Sequence, residues 1–175
     1  MPSSSNHKKY MTQALEEAQE ALDSGEFPVG CVLVYQGDVV AKGHRMNSRD
    51  GVNELDHAEI VTLRNLLASH PGINAAEIEV YSTMEPCLMC LSTLVLSGIR
   101  TIVFGYEDVM GGSSKLDLSK LAPLYVDMDV TIISGVLRDE CLKLFQEFFK
   151  NPDNEYWRDS LLAEYTLAQE TTKKG

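Results

Sequence analysis

The chain has 175 residues, 44% of them hydrophobic, and its 26 acidic and 15 basic side chains give a formal net charge of −11. This length predicts a single domain over residues 1–175, with polar, flexible tails at 1–8 and 170–175. No apolar run approaches the ~20 residues that span a membrane, so we expect a soluble, cytoplasmic protein without a membrane partner. The acidity disfavours a large nucleic-acid interface, because phosphate backbones are repelled.

The hydrophobic pattern alternates between the helical period and the strand period along the chain. Helices are predicted at 8–24, 58–68, 86–97, 137–150 and 155–168. Strands are predicted at 31–35, 39–42, 78–83, 101–104 and 130–133, with polar loops at 43–56 and 107–121. The first two strands flank a Gly-containing turn and form an antiparallel hairpin. Strands that alternate with helices after a hairpin predict an α/β fold, a three-layer α/β/α sandwich around a five-stranded mixed sheet.

Two short segments carry the residues of a catalytic metal site. His57-Ala58-Glu59 lies at the start of the second predicted helix, and Pro86-Cys87-Leu88-Met89-Cys90 at the start of the third. One imidazole and two thiolates supply three ligands to a tetrahedral zinc ion and leave its fourth position to water. Cys87 and Cys90 share a helix face, and a helix N-terminus stabilises thiolates. H-x-E followed by P-C-x-x-C is the pattern of zinc-dependent deaminases.

The carboxylate of Glu59 predicts the reaction. Zinc lowers the pKa of bound water from 15.7 towards ~7, and Glu59 transfers a proton from that water to a ring nitrogen and then to the leaving amino group. The substrate therefore carries an amino group on a carbon of an N-heterocycle, as cytosine, guanine and adenine do. We expect one Zn²⁺ per chain as the cofactor, bound by His57, Cys87 and Cys90.

Two other interpretations of the cysteine pair are weaker. A redox-active Cys-x-x-Cys pair has no use for His57 and Glu59. A closed structural zinc site needs a fourth strong ligand, and the sequence offers no second Cys-x-x-Cys or matching Cys/His pair. The paired spacing therefore favours a catalytic zinc site.

These motifs resemble the cytidine and deoxycytidylate deaminase superfamily, in the branch of tRNA adenosine, cytosine and guanine deaminases. The resemblance runs through Phe27-Pro28-Val29-Gly30, Asp56-His57-Ala58-Glu59-Ile60, Glu85 to Cys90 and Ile102-Val103-Phe104-Gly105. It implies a five-stranded mixed sheet flanked by helices, and a homodimer. It also implies His57, Cys87 and Cys90 as zinc ligands, Glu59 as the proton shuttle, and substrate contacts from Phe27, Val29 and Ala58.

The choice among subfamilies depends on segments outside the zinc motifs. Tyr81 to Cys90 and Gly135 to Cys141 resemble bacterial tRNA adenosine deaminases, whereas Asn151 to Asp159 resembles fungal-type cytosine deaminases, in which a Trp and a nearby acid close over a free base. That resemblance implies Trp157 and Asp159 as substrate contacts, although a lone Trp more often packs against its own domain. The family's base-contacting Asn falls at Met46, so Asn47 becomes the candidate for that role.

Three hypotheses follow. The first is zinc-dependent hydrolytic deamination of a small nucleobase or nucleoside, favoured by the acidity and the segment around Trp157. The second is deamination of tRNA adenosine to wobble inosine, favoured by the core motifs. The third is a non-catalytic, zinc-stapled binding protein, against which the presence of Glu59 argues.

Overall fold

The secondary structure follows the alternation of the sequence. The computed structural model describes residues 4–49 and 53–171. The helices are α1 (Ser4–Asp23), α2 (Ala58–Ser69), α3 (Leu88–Leu96), α4 (Pro123–Val126), α5 (Arg138–Lys150) and α6 (Leu161–Ala168). The strands are β1 (Gly30–Tyr35), β2 (Asp38–His44), β3 (Ile78–Met84), β4 (Thr101–Tyr106) and β5 (Thr131–Ile133). No helix among the described residues is long and apolar enough to cross a bilayer.

Five strands form one mixed sheet in the order β2-β1-β3-β4-β5. β1 is antiparallel to both β2 and β3, whereas β3, β4 and β5 run parallel. The central strands are buried on both faces, which explains their continuous runs of Val, Ile and Leu. The predicted hairpin and the predicted mixed sheet are confirmed.

Two glycines of the hairpin allow helices to pack closely on opposite faces of the sheet. Gly30 pairs with His44 and Cys31 pairs with Gly43, so the two glycines have opposite orientations in the pleat. A Cβ at Gly30 would overlap the backbone of α1, and one at Gly43 would lie 2.9 Å from Thr62 Oγ1 in α2. Helices α1 and α2 therefore cover different faces, as the predicted α/β/α sandwich requires.

The C-terminal helices close one side of the core through aromatic rings and polar side chains. Phe27, which precedes β1, packs against Phe145 and Phe148 of α5 with ring centroids 5.3 and 5.2 Å apart. The Tyr106 and Thr166 hydroxyls lie 3.1 Å apart and join β4 to α6. This packing brings the segment between α5 and α6 next to Phe27, in the chain that precedes β1.

Both ends of the chain differ from the sequence-based expectation. Helix α1 begins at Ser4, so residues 4–8 of the predicted tail are helical; residues 1–3 and 172–175 of the predicted tails lie outside the described residues. The last helix begins at Leu161 and not near 155. Trp157 and Asp159 have positive φ angles of 55° and 59°, which interrupt a helix, and the Ser160 side chain caps the start of α6.

The segment predicted as a loop over 107–121 contains a 3₁₀ turn at Leu118–Lys120, and the unpredicted helix α4 follows it. Pro123 at its first turn supplies a φ angle suited to a helix start. The four-residue length explains why no hydrophobic period was visible there.

Candidate active site

The histidine of the first motif sits at the junction between a loop and a helix. His57 has an extended backbone and forms the N-cap of α2, and its carbonyl accepts a hydrogen bond from the amide of Val61. Because His57 precedes the first helical residue, its side chain is not constrained to the helical spacing with Glu59. The two side chains therefore approach the site from different directions, as the sequence predicted.

The cysteines of the second motif occupy the corresponding position on α3. Cys87 is the N-cap residue with an extended backbone, and Cys90 lies in the first turn and is fully buried. A hydrogen bond with Cys90, followed by one with His57, lowers the pKa of Cys87 to about 4, while the same Cys87–Cys90 contact and burial raise the pKa of Cys90. The pair thus holds a thiolate at neutral pH.

The three ligand atoms lie at separations that suit zinc. His57 Nδ1 is 3.5 Å from Cys87 Sγ and 3.4 Å from Cys90 Sγ, and all three atoms lie within 4.8 Å of one another. A tetrahedral zinc with bonds of about 2.0 Å to nitrogen and 2.3 Å to sulfur separates such ligands by about 3.5 Å. Among the described residues the cluster contains three strong ligands, so a fourth position is left for a non-protein ligand.

Glu59 is the buried carboxylate beside this cluster. It is 3% exposed, Ser82 Oγ donates to its Oε1 at 3.2 Å, and Cys90 Sγ lies 3.5 Å from its Oε2. Burial raises the pKa of Glu59, although the nearby His57 opposes the shift. A carboxyl group whose pKa is raised by burial and which faces a cavity is suited to accept and donate protons.

A network of backbone amides holds the turn that carries Cys87. The Glu85 carboxylate accepts hydrogen bonds from the amides of Asp108 at 3.1 Å and Ser114 at 3.0 Å, and the Pro86 carbonyl accepts from Ser113. A Cβ at Gly112 would overlap the Glu85 carboxyl group, so only glycine fits there. The loop after β4 therefore fixes the start of α3, a contact that the sequence alone did not predict.

Glu54 connects the histidine to the C-terminal segment. Its Oε2 lies 3.2 Å from His57 Nε2, the nitrogen that faces away from the cysteines, and Tyr156 Oη donates to the same oxygen at 2.9 Å. The guanidinium Nη2 of Arg45 is 3.6 Å from this oxygen. Burial alone would raise the pKa of Glu54, but the hydrogen bonds from His57 and Tyr156 outweigh it and lower the value. Glu54 orients the imidazole, as outer-shell carboxylates do in metal sites.

A cavity of about 550 Å³ opens beside these groups. Of the predicted substrate contacts, Phe27, Val29, Ala58 and Trp157 line it, together with His57, Glu59 and Cys87. Trp157 is 44% exposed, so one part of its ring borders the cavity and another faces solvent. These predicted contacts remain predictions for a bound substrate, but the structure brings them together.

Asn47 and Asp159 are not among the residues that line the cavity, and their assignment as substrate contacts stays a prediction. Asn47 is exposed with a positive φ of 57°, and its Nδ2 donates to Asp56 Oδ2 at 2.7 Å. Asn53 donates to the same oxygen, so both amide side chains are hydrogen-bonded within the loop through Asp56. The positive φ at Asp159 turns its backbone away from the helical path that the prediction assumed.

Arg45, Glu54 and Tyr156 are among the lining residues of the cavity that sequence reasoning missed. Arg45 was missed because the predicted strand ended at 42, whereas β2 extends to His44 and alternation then places Arg45 on the same face as Gly43, towards α2. Glu54 and Tyr156 are 102 positions apart in the sequence, and no local pattern predicts their contact.

The amino-acid sequence of this chain is similar to those of known deaminases. A sequence model described as the cytidine and deoxycytidylate deaminase zinc-binding region matches residues 4–106, more than half of the chain. The tRNA-specific adenosine deaminase of Bacillus subtilis is 32% identical over 141 residues, which cover 81% of this chain and 87% of that protein.

Solved structures agree in fold. A structure from a study of A-to-I editing by tRNA:A34 deaminases at the wobble position has a TM-score of 0.68 at 28% identity, and the match covers 78% of this chain and 98% of that one. A diaminohydroxyphosphoribosylaminopyrimidine deaminase/reductase from Thermotoga maritima has a TM-score of 0.65 at 25% identity, covering 83% of this chain and 40% of that one.

Proposed function

Because the chain belongs to the cytidine and deoxycytidylate deaminase family and is a hydrolytic deaminase of C–N bonds, we propose that it removes the exocyclic amino group of a nucleobase held in the cavity. The observation that carries this proposal is the buried Glu59 carboxyl group beside three zinc-type ligands, in a cavity bordered by aromatic rings. Such a cavity is within the size range of small-molecule sites.

His57, Cys87 and Cys90 are the residues that would hold the zinc ion. When bound there, zinc would act as a Lewis acid and lower the pKa of a water molecule bound to it towards neutral pH. Glu54 holds His57 through Nε2, so that Nδ1 is the nitrogen presented to the cysteines. This hydrogen bond fixes the orientation of the imidazole before any ligand arrives.

Glu59 moves the protons. The reaction adds water to the C=N bond between a ring nitrogen and the carbon that bears the amino group. The bond from that carbon to the exocyclic amino nitrogen then breaks, which gives an oxo base and ammonia. Glu59 accepts a proton from the attacking water and delivers it to the adjacent ring nitrogen. It then accepts the remaining proton of the newly added hydroxyl group and transfers it to the amino group, so that the carbonyl forms as ammonia leaves. Ser82 donates to Glu59 Oε1 and leaves Oε2 as the oxygen closer to Cys90 and the reaction centre.

Adenosine in tRNA is the first candidate substrate, since the relatives at 32% and 28% identity are named as tRNA adenosine deaminases. These relatives favour a tRNA substrate over a free base. Catalysis would then require the adenosine to leave the anticodon stack and enter the cavity. The net charge of −11 means that any tRNA contact would depend on local basic patches.

A small base or nucleoside is the second candidate, and it is favoured by the segment between α5 and α6. Tyr156 and Trp157 border the cavity, and the Tyr156 hydroxyl is tied to Glu54. Aromatic rings at the mouth exclude water from a small ligand. The Thermotoga maritima relative is named as a deaminase of a hydroxy-bearing aminopyrimidine, which gives this candidate a precedent among similar folds.

Two assays on the zinc-loaded protein test the proposal. Inosine is measured in anticodon stem-loops and full tRNA over a salt series, and ammonia release is measured with cytosine, guanine, adenine and their nucleosides. A tRNA substrate predicts steep loss of binding with salt, and a free base predicts almost none. Ammonia or inosine formation that disappears in Glu59→Gln supports the proposal. The absence of both products from every substrate contradicts it.

We also propose that the chain forms the homodimer predicted from the family. Two leucines on α3, Leu88 and Leu96, are 57% and 53% exposed, and burial of these side chains against a second copy would remove apolar surface from water. Analytical ultracentrifugation tests this proposal: a single species of 19.4 kDa at micromolar concentration would contradict it.

A further inference from the structure

Arg45 is a charged side chain buried in the wall of the cavity. It follows β2, its amide donates to the carbonyl of Val29 at 2.9 Å, and the whole residue is 2% exposed. It lines the same cavity as His57 and Glu59. Arginine is rarely buried to this extent unless its guanidinium has acceptors, because removing the charge from water is costly.

The guanidinium of Arg45 lacks such acceptors among the described residues. Its Nε, Nη1 and Nη2 atoms are all buried, and none has a hydrogen-bond partner within residues 4–49 and 53–171. Glu54 Oε2 lies 3.6 Å from Nη2, beyond hydrogen-bond distance, and is already engaged by His57 and Tyr156. The other neighbour is the ring of Tyr156, whose centroid is 5.5 Å from Arg45 Cζ. The guanidinium therefore carries five N–H donors that have no acceptor among the described residues.

The surrounding charges indicate a neutral oxygen as that ligand. Glu54, Glu59, Glu85 and Asp108 all line the cavity, and Arg45 is the one Arg or Lys among the described residues that line it. A phosphate in this space would meet several carboxylates, whereas the charge of Arg45 is already balanced by Glu54. What Arg45 lacks is hydrogen-bond acceptors and not a counter-ion. A ring carbonyl oxygen supplies acceptors without adding negative charge.

The position of Arg45 relative to the reaction centre fits this assignment. His57 presents Nδ1 to the cysteines and Nε2 to Glu54, and Arg45 lies beyond Glu54. A base with its amino-bearing carbon beside Glu59 would direct another edge towards this side of the cavity. Arginine recognises a carbonyl oxygen with an adjacent ring nitrogen, as in guanine, whereas Asn and Gln are the usual partners of adenine.

We infer that Arg45 determines substrate specificity by donating hydrogen bonds to a ring oxygen, so that the substrate is an aminated base that carries an oxo group. The inference rests on the proposed deaminase function. Of the two candidate substrates it favours the free base or nucleoside, because adenine has no oxo group. It also explains why Asn47 is free to stabilise the loop through Asp56.

Matched pairs of substrates test the inference on the zinc-loaded protein. Cytosine and 4-aminopyrimidine carry the same amino group and differ by one oxo group, as do guanine and 2-aminopurine. We expect the wild type to prefer at least one oxo-bearing base in kcat/KM by about 10- to 150-fold, the worth of a hydrogen bond to a charged group. The Arg45→Met substitution should remove this preference and raise KM for the oxo-bearing base.

Two further variants separate recognition from folding. Arg45→Lys keeps the charge but loses the planar fork, and should retain part of the preference. Arg49→Met removes an exposed arginine of the same loop that does not line the cavity, and should leave the preference unchanged. Zinc content and melting temperature are measured for each variant. Equilibrium binding of cytosine and 4-aminopyrimidine to the Glu59→Gln variant provides a readout that does not require turnover.

Each outcome decides between the proposals. If Arg45→Met lowers kcat equally for both members of a pair, Arg45 acts only through Glu54 as a positioning residue, and the inference is wrong. If the wild type turns over tRNA adenosine but neither oxo-bearing base, the inference is wrong and the deaminase function stands. If cytosine binds no better than 4-aminopyrimidine and guanine no better than 2-aminopurine, the inference is overturned. If nothing is deaminated while oxo-bearing bases bind through Arg45, the proposed function fails alone.

Discussion

The cavity has two walls that are built in different ways. The reaction wall consists of His57, Glu59, Cys87 and Cys90, which lie at the starts of α2 and α3. The substrate wall consists of Arg45, Glu54, Tyr156 and Trp157, which come from the loop after β2 and from the segment between α5 and α6. The reaction wall is placed by helices anchored on the sheet. The substrate wall is held by side-chain contacts between segments that are distant in sequence.

This difference leads us to expect different roles for the two walls. In the reaction wall the spacing along one helix turn places the sulfur atoms of both cysteines on the same face of α3, where they can bind the same metal ion. In the substrate wall the contacts are single hydrogen bonds and ring edges, so one substitution changes the available acceptors without moving the backbone. We therefore expect changes in the first wall to affect the rate and changes in the second to affect the choice and binding of substrate.

The largest effect is expected at the reaction wall. Glu59→Gln keeps the size of the side chain but cannot transfer protons, and it should reduce kcat by about 10²–10⁴-fold with zinc content unchanged. Glu16→Gln, on the exposed surface of α1, is the matched control. Steady-state ammonia release with metal analysis measures both. Full activity in Glu59→Gln would remove Glu59 from the mechanism.

The second effect tests whether the two walls are coupled at Glu54. Glu54→Gln weakens the contact with His57 Nε2, and loss of an outer-shell partner typically reduces metal affinity by about 10–100-fold. Competition with a zinc chelator measures this affinity. Glu155→Gln, an exposed carboxylate near the same segment, should leave it unchanged. Equal zinc affinity in Glu54→Gln and wild type would mean that the walls act independently.

The third effect belongs to the substrate wall alone. Trp157→Ala removes a ring that borders the cavity, and because the side chain is 44% exposed we expect a loss near the lower end of base–aromatic stacking, about tenfold in KM. Leu161→Ala, which is exposed but does not line the cavity, is the control. If Trp157→Ala lowers the melting temperature and leaves KM unchanged, Trp157 is a packing residue.

The smallest effect is expected at the anchor of the C-terminal segment. Glu107 accepts from Arg138 Nε at 2.8 Å and from the Tyr165 hydroxyl at 2.7 Å, and so links α5 and α6. Burial acts to raise the pKa of Glu107, but the hydrogen bonds from Arg138 and Tyr165 lower it below the ordinary value of 4.5. The folded state therefore binds the proton less tightly than the unfolded state, and this contribution is present above pH 4.5 and lost below it.

The measurement for this anchor is urea denaturation at several pH values. Glu107→Gln should destabilise the protein by about 0.5–1 kcal/mol at pH 7, and the difference from wild type should shrink as the pH falls below 4.5. Glu147→Gln, on the exposed face of α5, should show no such trend. A difference that persists at pH 3 would contradict the assigned role of the charge.

The success of prediction differed between the walls for a physical reason. The helix starts at His57 and Cys87, the cysteine spacing and the hairpin are local features, and local patterns predict them well. Asn47 and Asp159 were predicted from family position, and neither lines the cavity; the Asn47 amide instead donates to Asp56. The interrupted helix before Ser160 was missed because its cause, a turn that brings Tyr156 to Glu54, is a tertiary contact.

The amino-acid sequence by itself determined the class of fold, the zinc ligands and the carboxylate beside them, because each follows from short-range spacing. The tertiary structure alone decided that Arg45 is buried without hydrogen-bond partners among the described residues and that Glu54 lies between His57 and Tyr156. Burial and unmatched donors arise from packing between distant segments, and no pattern in a single segment records them.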